Sequence, residues 1–242
     1  MSKVEQGIEL NKQHIYNVEN GIIEEVPFIE QIKALGYSDL EEFFNDKIEY
    51  EMQHVLKDHV YSVNPKDAMS TLRRLVQNDE YGIVSVYTNE TCVHHGQDPT
   101  KTLNRDYCIE HNIPIYSYDS FGGNIVATKD DYSIALLLPL TIDVSAGFVL
   151  NKTIQILKKY FIDVKIQDND ILINNKKVAG ATSFGTDRYF FLIYHFSMSE
   201  KTDLITAICG APATGKQPGY IDTTILSTEK LMEEFLSWLQ GL

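Results

Sequence analysis

Ser120-Phe121-Gly122-Gly123-Asn124-Ile125-Val126 and, about fifty residues further on, Asn174-Asn175-Lys176-Lys177-Val178-Ala179-Gly180 decide how this chain reads. The first stretch is a glycine pair between a polar turn and an apolar strand. With no Cβ in the way, its backbone N–H groups can approach a ligand closely. The second predicts a β-hairpin: a strand over Asp170–Ile173, a two-residue Asn-Asn turn that tolerates positive φ, and a return strand over Lys176–Ser183. Side chains alternate along a strand, so Lys176 and Lys177 point to opposite faces. One is then solvated surface while the other reaches into a site. A loop of small residues facing one inward lysine suits the holding of an acyl or phosphoryl group.

From Tyr81 onward the chain is rich in strands, predicted at Ile83–Tyr87, Ile113–Tyr116, Ile125–Thr128, Ile134–Leu138, Val164–Gln167, the lysine hairpin, Tyr189–Phe196 and Leu204–Cys209. Helices are expected near Lys101–His111 and Val144–Tyr160, and a last one over Thr228–Leu239 packs Leu231, Phe235, Trp238 and Leu239 on one face. This order implies an α+β fold, with mixed or antiparallel sheets and flanking helices. Residues 1–60 read as a separate extension, with residues 61–242 as the main domain. In the extension, Asn20-Gly21 between His14–Val18 and Ile22–Val26 signals a hairpin. Ser38-Asp39-Leu40-Glu41 has capping-box spacing and starts a helix whose stripe is Leu40, Phe44, Ile48, Met52 and Val55 or Leu56. Another helix is predicted over Pro65–Gln77, with Met69, Leu72, Leu75 and Val76 facing inward.

The 242 residues carry a net charge of −13. Residues 1–60 hold 13 acidic and 5 basic side chains, so the extension bears most of the excess. Such a balance excludes a nucleic-acid binder, which needs a basic footprint. The longest apolar runs, such as Ile134–Leu140, are too short to cross a bilayer, and no membrane partner is expected. Met1–Leu10 is polar, without the apolar core of a signal peptide. Cys92, Cys108 and Cys209 lack metal-like or paired spacing, which suits a reducing cytoplasm.

Taken in order over residues 80–240, the motifs resemble the lipoate–protein ligase, octanoyltransferase and biotin ligase superfamily. The resemblance runs from the strand at Gly82–Thr88 and the His94-His95-Gly96 turn, through Ile113-Pro114-Ile115 and the glycine loop, to the lysine hairpin. It implies a biotin/lipoate ligase-like catalytic domain. Phe121, Gly122, Gly123 and Asn124 would lie against an acyl chain, with His95 and Gly96 as another wall. Lys177 would bind the acyl carbonyl, flanked by Val178, Ala179, Gly180 and Ala181. The chain departs from the pattern at three places: Phe121 stands where relatives carry arginine, a residue near Thr128 where octanoyltransferases carry histidine, and Gln97 where ligases often carry arginine.

Lys177 is the strongest catalytic candidate, because an ammonium can stabilise the negative charge that develops as a nucleophile adds to an acyl group. Cys209 is the second. It ends a predicted strand 32 residues after Lys177, an interval close to that of the octanoyltransferase thioester cysteine, although Ile208 replaces that motif's proline. The alternative is a small buried hydrophobe. Gly210 to Lys216 matches all but the last residue of a phosphate-binding loop, but Gln217 replaces the Ser or Thr that would hold Mg²⁺, and Pro218-Gly219 blocks the following helix. It reads as a loop bordering the acyl site. The pairs His94-His95 and His54/His59 lack ligand spacing, so no metal is expected. His195, between Tyr194 and Phe196, reads as a core histidine. Lys152, Lys158, Lys159, Lys165, Lys176 and Lys216 are candidates for a local basic patch toward an acidic carrier.

The resemblance implies transfer of a lipoyl or octanoyl group to a lysine of a lipoyl or acyl-carrier domain. A ligase would use ATP and Mg²⁺ to form an acyl-adenylate. A transferase would need no cofactor and pass the acyl group through Cys209. The missing arginine and histidine leave a third reading, a non-catalytic protein that binds an acyl ligand or a carrier domain.

Overall fold

The computed structural model describes residues 1–119, 122–210 and 216–241. Seven strands form the larger sheet: β1 (Val60–Val63), β2 (Gly82–Tyr87), β6 (Tyr132–Pro139), β7 (Val164–Gln167), β8 (Asp170–Ile173), β9 (Lys176–Gly185) and β10 (Tyr189–Phe196). Their spatial order is β1-β2-β6-β10-β9-β8-β7. A smaller sheet of β3 (Cys92–His95), β4 (Ile115–Ser117) and β5 (Asn124–Ala127) runs β4-β3-β5. The pairs β1–β2 and β3–β4 are parallel and the others antiparallel, so both sheets are mixed, as expected.

The centre of the larger sheet is β6 against β10, in register from Tyr132↔Phe196 to Pro139↔Tyr189. Both are nearly unbroken apolar runs because both of their faces are covered. On one face Ile134, Leu136, Leu192, Tyr194 and Phe196 join the main core with helices α3 (Leu40–Leu56), α6 (Ala146–Leu157) and α8 (Thr228–Gln240). On the other, Ala135, Leu137, Phe191 and Ile193 pack with Leu72 and Leu75 of α4 (Pro65–Gln77). Burying each of these large side chains contributes roughly 1.5–3 kcal/mol. The smaller sheet meets the end of β10 across a cavity that His94 and His195 both line. That sheet is backed by α5 (Arg105–Glu110) and α7 (Thr202–Cys209) through Val93, Val126, Cys108 and Ile208.

Four sequence expectations are corrected here. Residues 3–19 form helix α1 (Lys3–Glu19), not a hairpin strand. Ser2 and Glu5 make a reciprocal capping box, Asn20 is the C-cap, and Gly21 follows at φ +67°. An Asn-Gly pair serves a helix stop as well as a hairpin turn, since both need positive φ. After it, residues 22–26 run without a strand to α2 (Phe28–Ala34), and Phe28, Ile32, Tyr37 and Phe43 form a small core of their own. Leu204–Cys209 lies in helix α7 rather than in a strand. A six-residue apolar run is too short for periodicity to separate the two. Leu204, Ile205, Ile208 and Cys209 share the side that meets the small sheet. In α3 the N-cap is Asp39 rather than Ser38, and Phe43 takes the core place expected of Phe44.

Candidate active site

A cavity of about 390 Å³ lies between the small sheet, the β9–β10 edge and α7, a size ordinary for a small-molecule site. Its mouth is built by the lysine hairpin. Asn174 and Asn175 take φ +51° and +62°, both centres of a tight primed turn, so β9 leaves the turn with Lys176 exposed and Lys177 toward the cavity. A register shift between Ile171 and Leu172 follows, with Leu172 opposite Lys177 and Ile171 opposite Ala179. Such a bulge leaves Val178 as the extra residue and resets the alternation. Lys177 to Thr182 all border the cavity, with side chain or backbone.

Lys177 Nζ lies 2.8 Å from Asp170 Oδ1. Lys216 Nζ donates to the other oxygen of the same carboxylate at 2.9 Å, to Asp168 at 2.9 Å and to Gln167 O at 2.8 Å. The backbone beyond Lys216 then runs beside β9: Lys177 N donates to Gln217 O at 2.9 Å and Gly219 N to Lys177 O at 2.8 Å. Pro218-Gly219 thus continue as extended chain and start no helix. The expected strand before Gly210 is helix α7, and residues 211–215 of the loop-like motif lie outside the described residues.

Opposite the hairpin, Gly122 and Gly123 precede β5. Gly96, at the end of β3, supports them: a Cβ there would stand 2.0 Å from Gly122 O, so only glycine fits. A Cβ on Gly122 would meet Thr182 Oγ1 at 3.3 Å, which places the loop directly over β9. Asn124 lines the cavity and is held from behind, its Oδ1 2.7 Å from His95 Nδ1 and its Nδ2 donating to Thr102 O at 2.7 Å. His94 rather than His95 lines the cavity. Adjacent strand residues face opposite ways, and the sequence pair did not reveal which one turned inward. Phe121 lies outside the described residues.

Cys209 borders the cavity as the last residue of α7, packed with Cys108 and Ile205. Burial, with Cys108 beside it, pushes its thiol up to about 11. A thiolate nucleophile needs the opposite shift.

The floor is a polar network that sequence reasoning missed. Asp131 is fully buried, and its carboxylate accepts hydrogen bonds from Thr128 N at 2.7 Å, Thr128 Oγ1 at 3.1 Å and Met198 N at 2.7 Å, and from the buried Lys201 ammonium. Burial draws the Lys201 pKa down against the pull of Asp131. His195 Nδ1 lies 2.9 Å from Ser133 Oγ, and burial holds this imidazole well below its ordinary pKa. His94 falls to about 4, through burial and the nearby Lys201 charge. An Asp before an apolar strand, and a Lys before a short helix, resemble ordinary turn residues. Nothing local marks them as partners 70 residues apart.

Of the other lysines of the expected basic patch, Lys152 pairs with Glu49 and Lys159 with Glu234, away from the cavity, whereas Lys165 donates to Asn175 in the hairpin turn. Among the described residues no group of three or more His, Cys, Asp and Glu side chains comes together as a metal site, and no helix is long and apolar enough to cross a membrane.

Residues 64–217 match the lipoyl protein ligase A/B catalytic domain family. The structure is similar to a bipartite lipoate protein ligase from Thermoplasma acidophilum, described with its E2 lipoyl domain, at TM-score 0.63 and 13% identity over 77% of this chain and 83% of that one. A lipoate-protein ligase A bound with ATP matches at TM-score 0.62 and 13% identity over 76% and 84% of the two chains. P. falciparum LipL1 in complex with lipoate matches at TM-score 0.60 and 15% identity over 76% and 60%. At such identities the likeness is one of fold. No curated protein matches the chain at a significant level.

Proposed function

Because the chain belongs to the lipoyl protein ligase A/B catalytic domain family, we propose that it joins lipoate or octanoate to a lysine of a lipoyl or acyl-carrier domain through an acyl-adenylate. The observation that carries this reading is Lys177 at the cavity mouth, opposite Gly122 and Gly123 and anchored by Asp170. The acid's chain enters the cavity and its carboxyl oxygen meets the Lys177 ammonium. Asp170 keeps that ammonium in place before the acid arrives, so little reorganisation is left for the reacting complex.

The carboxylate attacks the α-phosphorus of ATP, and pyrophosphate leaves. The carrier lysine's neutral amine then adds to the acyl carbon, AMP departs with the bonding pair, and the amine's proton is lost to solvent. Lys177 stabilises the oxyanion formed between those events. Lys101, packed against Gly123, and Lys177, across the cavity from it, are each more than a third exposed and would hold the nucleotide's phosphates, with Mg²⁺ arriving on the nucleotide. The relatives described with bound ATP and with lipoate support this choice of substrates.

A thioester route through Cys209 is less well supported, because partial burial raises the thiol's pKa. The test is the intact mass of a lipoyl domain incubated with the protein, octanoate or lipoate, and ATP, alongside octanoyl-carrier protein without ATP. A gain of mass that depends on ATP is the expected result. A gain only from the carrier thioester would replace the ligase reading with the transferase. Binding of the acid without any mass gain would make the protein a non-catalytic acyl-ligand binder.

A further inference from the structure

We propose that Lys216 is a positioning residue for Lys177: by holding Asp170 it fixes the Lys177 ammonium at the cavity and keeps that charge available to the acid. The inference rests on the reading of Lys177 as the group that meets the acid's carboxyl end.

Two ammonium groups share the Asp170 carboxylate, and they differ in what they have left to offer. Lys216 Nζ donates to Gln167 O at 2.8 Å and to Asp168 and Asp170 at 2.9 Å each. Three acceptors use all of an ammonium's protons, and the side chain is only 6% exposed. Lys216 therefore borders the cavity with nothing left for a ligand. Lys177 has Asp170 Oδ1 as its one ion-pair partner among the described residues, at 2.8 Å, and its side chain is 38% exposed. Protons remain on it for a substrate oxygen. Burial works against the Lys216 charge, but Asp168 and Asp170 outweigh it and raise the pKa, so Lys216 stays an ammonium.

Lys216 reaches Lys177 by two routes. Its anchor at Gln167 and Asp168, where β7 turns into β8, leads straight into the extended residues 217–219. That segment takes both backbone polar groups of Lys177, its N–H on Gln217 O at 2.9 Å and its carbonyl under Gly219 N at 2.8 Å. The second route is through the carboxylate. With Oδ2 of Asp170 held by Lys216, Oδ1 is the oxygen left for Lys177. Both atoms of that contact lie over Gly180, where a Cβ would come within 3.2 Å of Asp170 Oδ1 and 3.3 Å of Lys177 Nζ. Asp170 is 12% exposed, so water screens its charge poorly. Countered by Lys216, it orients Lys177 without cancelling it. Without Lys216 the whole carboxylate charge falls on Lys177, beside the place that the acid's own carboxylate must occupy.

The experiment is calorimetric titration of the full chain with octanoate. Lys216→Met keeps the length of the side chain without its charge, and the Kd should rise at least about tenfold, about 1.4 kcal/mol. Adding Asp170→Asn removes the uncountered carboxylate, so the double variant should bind about threefold or more tighter than Lys216→Met alone. A residue that merely braces the fold would behave differently, since a second lost contact would leave binding as weak or weaker. Lys216→Gln, uncharged but still a hydrogen-bond donor, replaces Lys216→Met if that variant fails to fold. An unchanged Kd in the Lys216 variant, or a double variant no tighter than the single one, would overturn the proposal alone. Lys177→Ala binding octanoate as tightly as the unaltered protein would overturn it together with the reading of Lys177.

Discussion

Lys177 Nζ and Asp170 Oδ1 are 2.8 Å apart across the hairpin that joins their strands, and the second oxygen of Asp170 holds Lys216 at 2.9 Å. One carboxylate thus positions two ammonium groups. If Lys177 holds the acyl oxygen, Lys177→Ala should lower transfer by about 10²–10³-fold. Its pair with Asp170 is partly solvated and contributes at most about 1 kcal/mol to stability. Initial rates and a melting curve of the variant check this, and near-normal rates would remove Lys177 from the site.

Asp170→Asn tests positioning. Lys216 keeps Asp168 and Gln167 O as partners, so the fold should survive a loss of about 1–3 kcal/mol. Lys177 remains but is no longer held, and the rate should fall by about tenfold or more. That deficit must be smaller than that of Lys177→Ala; the reverse order, measured side by side, would make Asp170 more than a positioning residue.

Gly96→Ala places a methyl group 2.0 Å from Gly122 O, a backbone atom that must shift. The glycine loop should be displaced from Thr182, at about 1–3 kcal/mol in stability and with at least about a tenfold rise in the acid's Kd. Calorimetry with octanoate reads the second effect.

Cys209→Ser should retain ATP-dependent transfer within about tenfold, and no acyl-thioester adduct should appear on the unaltered protein. Mass spectrometry of the protein after incubation with an acyl-carrier thioester gives the answer, and a stable adduct at Cys209 would favour the transferase.

Stability should decline on acidification below about pH 6.5, where an unfolded histidine begins to take up a proton. Folded His94 resists protonation until about pH 4, because it is buried near Lys201, and burial holds His195 well below its ordinary value too. The unfolded state therefore binds more protons across that interval, and stability that is complete above pH 6.5 is lost as pH falls. His94 alone accounts for a loss on the order of 3 kcal/mol. Urea midpoints at pH 7.5, 6 and 4.5 should fall in that order, and His94→Phe should flatten the trend.

The strands and their order were legible where a local rule is strong. The hairpin at Asn174-Asn175 follows from two residues that tolerate positive φ, and β7 and β10 have the predicted bounds because alternating or apolar runs stop at clear turn residues. The rule was weaker at Asn20-Gly21 and at Leu204–Cys209. Each pattern is shared by a helix and a strand, and packing against Phe43 or against Cys108 decides between them.

The chain's own order of residues determined the mixed α+β class, the glycine pair, and a lysine on the hairpin with its side chain turned inward. These depend on backbone sterics and on period-two alternation, which act over a few residues. The tertiary structure alone placed Asp170 against both Lys177 and Lys216, turned His94 rather than His95 into the cavity, and joined Asp131 to Lys201 beneath it. Those contacts unite residues tens of positions apart, and their pairing is set by strand register, sheet order and the cost of burying a charge without a partner.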